Sequence, residues 1–177
     1  MNNRAGAAAL IRPSVAYEQE YLEMLEDWKA NDGEHIPWFI ALDPDGFAAT
    51  VARLEGYSHG VGLGEEFVAN STYWLVDGSR KIIGVINIRH RLNEFMRNFG
   101  GHIGYGVRPC ERRRGYAREM LRLGLATARQ IGLARVLICC YKDNIGSART
   151  IVAGGGVLDS EGVYEGKVLQ RYWIELG

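Results

Sequence analysis

The segment Val107-Arg108-Pro109-Cys110-Glu111-Arg112-Arg113-Arg114-Gly115-Tyr116-Ala117 constrains the fold more than any other. His102-Ile103-Gly104-Tyr105-Gly106 precedes it and reads as a strand. After it, apolar or small residues recur at Ala117, Met120, Leu121, Gly124, Leu125, Ala128 and Ile131, the three-and-four spacing of a helix with one buried face. Arg118, Arg122 and Arg129 fall on the opposite face. A strand therefore runs through a basic, glycine-containing turn into a long helix. The first turn of a helix has unpaired N–H groups and a positive dipole end. Gly115 has no Cβ to keep a bulky anion at a distance. Arg112, Arg113 and Arg114 add charged donors. The guest that suits such a turn is a phosphate or pyrophosphate; a turn whose arginines only meet water is the alternative. The spacing is neither Gly-x-Gly-x-x-Gly nor Gly-x-x-x-x-Gly-Lys, so neither a dinucleotide fold nor a P-loop is indicated.

Net charge is zero, with 21 basic and 21 acidic side chains. A general nucleic-acid binder carries a basic excess. Here the basic patch is local, at Arg108, Arg112, Arg113, Arg114, Arg118 and Arg122, which suits one small anion better than a polyanion. The 177 residues are enough for one domain with a core, expected to span 1–177 with a frayed start at 1–8. The hydrophobic fraction of 47% fits a soluble globular protein. Three cysteines, two of them adjacent, do not make a disulfide framework. The N-terminal apolar run is too short to span a membrane and lacks a signal-peptide layout. The expectation is a cytoplasmic protein with no membrane or nucleic-acid partner.

In chain order, Ala9 to Arg12 reads as a short strand ended by Pro13. Ser14 is a helix cap, and the helix it starts ends near Asn31-Asp32-Gly33. Trp28, His35, Trp38 and Phe39 cluster at its exit, as core by default or as part of an acceptor pocket. Phe47 to Leu54 reads as a short helix. Four glycines in the nine residues from Gly56 to Gly64 mark a mobile loop, a binding element or a plain connector. Thr72–Val76 and Lys81–Arg89 read as a hairpin around Asp77-Gly78-Ser79. Gly132 ends the long helix. Arg135–Tyr141 is an apolar run fitting a strand covered on both faces. The unit 102–141 therefore reads as strand, helix, parallel strand. Ser147–Ala153 reads as a short helix, followed by final strands at 157–158 and 168–176. The fold class is α/β: helices on both faces of a central mixed sheet, in the order β-α-α-β-β-β-α-β-α-β-β.

Val-x-Pro-x-x-Arg-x-x-Gly-Tyr-Ala, with its core at Arg112–Ala117, resembles the acetyl-CoA pyrophosphate loop of the GNAT superfamily of N-acyltransferases. Asn144-Ile-Gly-Ser147 is similar to the family's Asn-x-x-Ala/Ser element, whose Asn holds the pantetheine arm; capping a helix is the alternative role. The resemblance covers nearly the whole chain. It implies that the strands at 102–107 and 135–141 splay apart around the cofactor. The segments from His90 and from Gly100 to Pro109 further resemble a bacterial subgroup of predicted acetyltransferases.

The resemblance implies transfer of an acetyl group from acetyl-CoA to a primary amine of a small molecule or peptide, without a metal. A homodimer is compatible with it. Backbone N–H groups of Arg113, Arg114, Gly115, Tyr116 and Ala117 would hold the pyrophosphate, with Arg112, Asn144 and Ser147 in the same site. The strand edge at Tyr105, Gly106 and Val107 would pair with pantetheine amides, and the Val107 N–H would receive the oxyanion. Many GNAT enzymes carry a Tyr acid seven residues after the Asn; here Ile151 stands there. Tyr172 is the substitute acid, with a core role as its alternative. His102 is the candidate base, with a structural role as its alternative; Glu65, Glu66 and Glu94 are weaker candidates. An acyl-CoA-binding module without turnover, for which Ile151 speaks, is the second function class. Nucleotide binding through the arginine turn is a third.

Overall fold

The computed structural model describes residues 8–32 and 36–177. The chain runs β1 (Ala9–Ile11), a 3-10 turn at Val15–Tyr17, α1 (Glu18–Asp32), α2 (Phe47–Ser58), β2 (Asn70–Val76) and β3 (Ile82–Arg89). It continues through a π-helical turn at Met96–Gly100, β4 (Ile103–Val107), α3 (Tyr116–Gln130), β5 (Arg135–Tyr141), α4 (Ile145–Ala153), β6 (Val157–Tyr164) and β7 (Lys167–Glu175). The expected order of elements is met. The frayed start falls outside the described residues except at Ala8, and His35 lies outside them too.

Local chemistry accounts for the boundaries. The Ser14 hydroxyl accepts the Ala16 N–H. The Asp77 carboxylate accepts the N–H groups of Ser79 and Lys81 and closes the β2–β3 hairpin. Gly132, at φ +94, follows the end of α3 in the left-handed conformation glycine tolerates. Helix α2 runs four residues further than the sequence pattern suggests, through Gly56 to Ser58.

The strands form two sheets, β1-β2-β3-β4 and β5-β7-β6, and every ladder in them is antiparallel. β4 and β5 share no ladder, so the strands at 102–107 and 135–141 splay apart as the family resemblance implies. The sheets touch at one bridge, Gly101 with Ile138. Gly101 sits at φ +64, and a Cβ there would lie 2.5 Å from the Leu137 carbonyl oxygen. Only glycine closes this end of the wedge.

All eight residues of β3 are buried, because helices cover both sides of its sheet. On one side Leu75, Ile86, Ile88 and Ile103 pack with Met120, Leu121 and Ala128 of α3 and Ile151 of α4. On the other, Trp74, Val85 and Ile82 pack with Tyr21, Met24, Leu25 and Trp28 of α1 and Phe47 of α2.

Candidate active site

The register determines which backbone groups face the gap between β4 and β5. Antiparallel ladders bond alternate residue pairs. The Arg108 N–H donates to Ile83 and the Arg89 N–H donates to His102. With Val107 opposite Gly84, the even residues of β4 therefore bond to β3. Tyr105 and Val107 turn their N–H and C=O groups the other way, into the gap. Gly106 does not: it bonds across to Val85 and contributes no free edge. On β5 the same parity holds, since the Lys142 N–H donates to Val168 and the Leu176 N–H to Ala134. Cys139 and Tyr141 thus face the gap from the other wall. The closed end is at Gly101 and His102, and the gap opens toward Val107 and Tyr141.

Beyond Val107 the chain turns through Pro109–Glu111 and reaches α3 at Gly115, which takes φ +88 as its N-cap. Arg113 adopts φ +64 just before it. A Cβ on Gly115 would meet no atom within 4 Å, so the space over the helix start is open. A cleft of about 650 Å³ leads from Gly115 past Arg118 and Arg122 to Thr150 and Ala153 of α4.

The arginines of the turn divide by partner. Arg108 is buried, and its Nε donates to Asp27 at 3.2 Å. The same carboxylate accepts the Cys110 N–H, pinning the turn to α1. Arg112 Nε donates to the Val107 carbonyl at 3.1 Å, with its guanidinium 5.7 Å from the Trp28 ring centroid. Arg114 and Lys81 both pair with the buried Glu111. Burial would raise the Glu111 carboxyl, but these two cations hold its pKa below the usual value. Arg113 and Arg118 are exposed, with no ion pair among the described residues. Tyr116 and Ala117 begin α3 half-buried, packed against the core.

Asn144 caps α4, its side-chain oxygen accepting the Ser147 N–H at 3.0 Å. The Ser147 hydroxyl lies 3.0 Å from the Tyr105 hydroxyl, a bond that ties β4 to α4. Burial pushes the Tyr105 phenol up to about 12, so it keeps its proton at neutral pH.

Both candidate proton-transfer residues have hydrogen-bond partners within the protein. His102 is buried at the closed end of the wedge. Its Nδ1 accepts the Leu137 N–H at 2.9 Å, which uses the one lone pair of the neutral ring. Burial, and then Arg89, Arg97 and Arg135, lower its pKa to about 4. Through Nδ1 and its own backbone N–H it clasps β4 to Leu137 of β5. Tyr172 is 5% exposed and belongs to the α3-side core, where its hydroxyl donates to Gln170 at 2.7 Å. Glu65, Glu66 and Glu94 are exposed. Ile151 is wholly buried, and a Cβ on Gly156 would lie 2.5 Å from its Cγ2. That position faces the core, so a tyrosine has no room there. The sequence marks Tyr105 only by its strand edge; the bond from its hydroxyl to Ser147 depends on α4 packing beside β4.

The family model for the acetyltransferase (GNAT) domain matches residues 9–156. The chain belongs to the GNAT acetyltransferase family. The GNAT fold is shared with solved structures at low identity. A Bordetella pertussis protein described as of the GnaT family has a TM-score of 0.67 at 19% identity, covering 98% of this chain and 97% of that one. The microcin C7 self-immunity acetyltransferase MccE, solved with acetyl-CoA and AMP, gives 0.65 at 18%, covering 98% and 97%. A chimeric spermidine N-acetyltransferase SpeG, derived in part from Vibrio cholerae, gives 0.65 at 14%, covering 96% of each chain. No match is found among curated proteins. As a GNAT member the chain is an acetyl-CoA-dependent acetyltransferase. No helix among the described residues is long and apolar enough to cross a membrane.

Proposed function

We propose that this GNAT domain transfers the acetyl group of acetyl-CoA directly to a primary amine of a small molecule or peptide. One observation carries the reading: an unladdered strand edge, Tyr105 and Val107, leads straight into an open helix start at Gly115. A pantetheine arm carries amides that pair with such an edge, and a pyrophosphate suits such a helix start.

In this reading the amine nitrogen attacks the thioester carbonyl carbon. The Val107 N–H, aimed into the gap, receives the developing oxyanion. The C–N bond forms, the C–S bond breaks, and the thiolate leaves. Tyr105 supplies its proton and regains one from solvent, a role that falls to it because Tyr172 is turned toward Gln170. The amine's proton passes to water. CoA is a fair leaving group with a thiol acidity near that of cysteine, so modest assistance suffices. Asn144 and Ser147 flank the arm at the α4 start. The three free cysteines favour a reducing compartment such as the cytoplasm. We read residues 1–177 as one acyltransferase unit.

The test is amine-dependent release of free thiol from acetyl-CoA, with the acetylated amine identified by mass. Thiol release matched by acetyl-amine supports transfer. Stabilisation by acetyl-CoA without thiol release, over a broad amine panel, would instead support the module without turnover.

A further inference from the structure

Arg89 ends β3 on the face covered by α1 and α2, opposite the face that carries α3. Its side chain is 5% exposed. Nη1 donates to the carbonyls of Gly100 at 3.1 Å and Gly101 at 3.4 Å. Nε has no acceptor. The guanidinium carbon lies 6.0 Å from the Trp38 ring centroid. No carboxylate pairs with it among the described residues. Leaving a buried cation without a counter-charge is costly, and burial lowers the pKa of Arg89 to about 10.

The surroundings add positive charge. Arg171 Nε donates to the Asn98 carbonyl at 2.8 Å. Neither Arg171 nor the exposed Arg97 has an ion-pair partner among the described residues. Arg171 is the ladder partner of Cys139, and Arg97 lies in the π-helical turn at Met96–Gly100, shortly before His102.

The position relative to the gap gives this cation a use. Gly104 lies on β4 beside Tyr105. A Cβ on Gly104 would stand 3.5 Å from both Nη1 and Nη2 of Arg89, and 3.2 Å from the Phe39 ring. Glycine therefore puts no side chain of β4 against the terminal edge of the guanidinium. Asn87, the ladder partner of Gly104, has an Oδ1 that also lacks a partner. With the acyl donor along the β4 edge and the α3 start, as proposed above, the α1–α2 side is left for the amine.

We propose that the acceptor is an amine that also carries an oxyanion, carboxylate or phosphoryl, and that Arg89 supplies its counter-charge over Gly104. This rests on the amine-acetylation reading and names its substrate class. A guanidinium fork matches either oxyanion by paired N–H donation. The same field disfavours polycationic amines.

The experiment uses the full chain, acetyl-CoA and matched amines: ethylamine and spermidine against β-alanine, glutamate and phosphoethanolamine. At least one anionic amine should exceed ethylamine in kcat/KM by about 10–150-fold, the worth of a hydrogen bond to a charged group, with spermidine poorest. β-Alanine and glutamate against phosphoethanolamine separate carboxylate from phosphoryl. Arg89→Gln should erase the preference through KM while acetyl-CoA still raises the Tm. Gly104→Ala, which covers the guanidinium edge, should do the same if Arg89→Gln does not fold. Equal or better turnover of ethylamine or spermidine in the unaltered protein would overturn this proposal and leave amine acetylation standing. A preference unchanged in Arg89→Gln and Gly104→Ala would overturn it as well. Acetyl-CoA binding with no amine acetylated would overturn both.

Discussion

His102 and Leu137 hold each other twice: the His102 N–H donates to the Leu137 carbonyl at 2.6 Å, and the Leu137 N–H donates to His102 Nδ1 at 2.9 Å. These bonds join the two sheets where no ladder does. They form the hinge end of the wedge whose open end faces the acyl donor.

His102→Ala should therefore cost stability rather than chemistry. Leaving the buried Leu137 N–H unpaired costs about 1–3 kcal/mol, and each kcal/mol lowers the Tm by about 2–4 °C in a chain of this size. The same residue sets a pH dependence. Its pKa is near 4 in the folded protein against 6.5 ordinarily, so the unfolded chain takes up a proton between those values. The stability contributed by His102 is complete above about pH 6.5 and falls as the pH drops toward 4. Thermal melts across pH 4–7 should show this loss in the unaltered protein and a flatter profile in His102→Ala. A pH–rate profile abolished by His102→Ala in a folded protein would restore the imidazole as a base.

The two tyrosines separate by what their hydroxyls touch. Tyr105→Phe removes the donor at the α4 start and should lower turnover, at most within the general-acid range of about 10²–10⁴, with little loss of acetyl-CoA affinity. Tyr172→Phe removes only a bond to Gln170 in the core and should leave turnover nearly unchanged. Steady-state kinetics on both variants decide it; the reverse pattern would return the acid to Tyr172.

Gly115→Val places a β-branched side chain at φ +88 in the open space over the α3 start. It disfavours that backbone conformation and fills the path of the pyrophosphate. Titration calorimetry should find acetyl-CoA binding lost in a protein whose circular dichroism shows it folded. Unchanged affinity would move the phosphate site elsewhere.

Gly124→Val tests the packing of α3 on the sheet. A Cβ at Gly124 would fall 2.3 Å from Ile86 Cδ1. Overpacking of this kind costs about 1–3 kcal/mol, and denaturant melts should report it. An unchanged midpoint would mean that Ile86 moves aside freely.

The helices and most strands were legible because their signals are local. The buried face of α3, at Met120, Leu121, Gly124 and Ala128, follows directly from its apolar spacing. The β5 run and the turn at Gly115 are equally self-contained. What was not legible depends on which strands meet. Nothing near His102 in the chain announces that Leu137 will occupy its ring nitrogen. Nothing near Arg89 announces that Gly104 will lie against its guanidinium. The parity that removes Gly106 from the open edge and keeps Tyr105 and Val107 follows from the β3 register, which the β4 sequence does not encode. Ile151 stands seven residues after Asn144, and its side chain faces the α3-side core. Gly56 reads as a helix breaker, but α2 continues through it to Ser58.

Site-resolved amide hydrogen exchange with and without acetyl-CoA tests the central claim most directly. If the donor lies along β4 with its pyrophosphate on α3, acetyl-CoA protects the amides of Tyr105, Val107 and the α3 start from Gly115 to Ala117. Gly104 and Gly106, already bonded to β3, change little. Protection confined to other parts of the chain, with Tyr105, Val107 and Gly115 unaffected, would contradict the account.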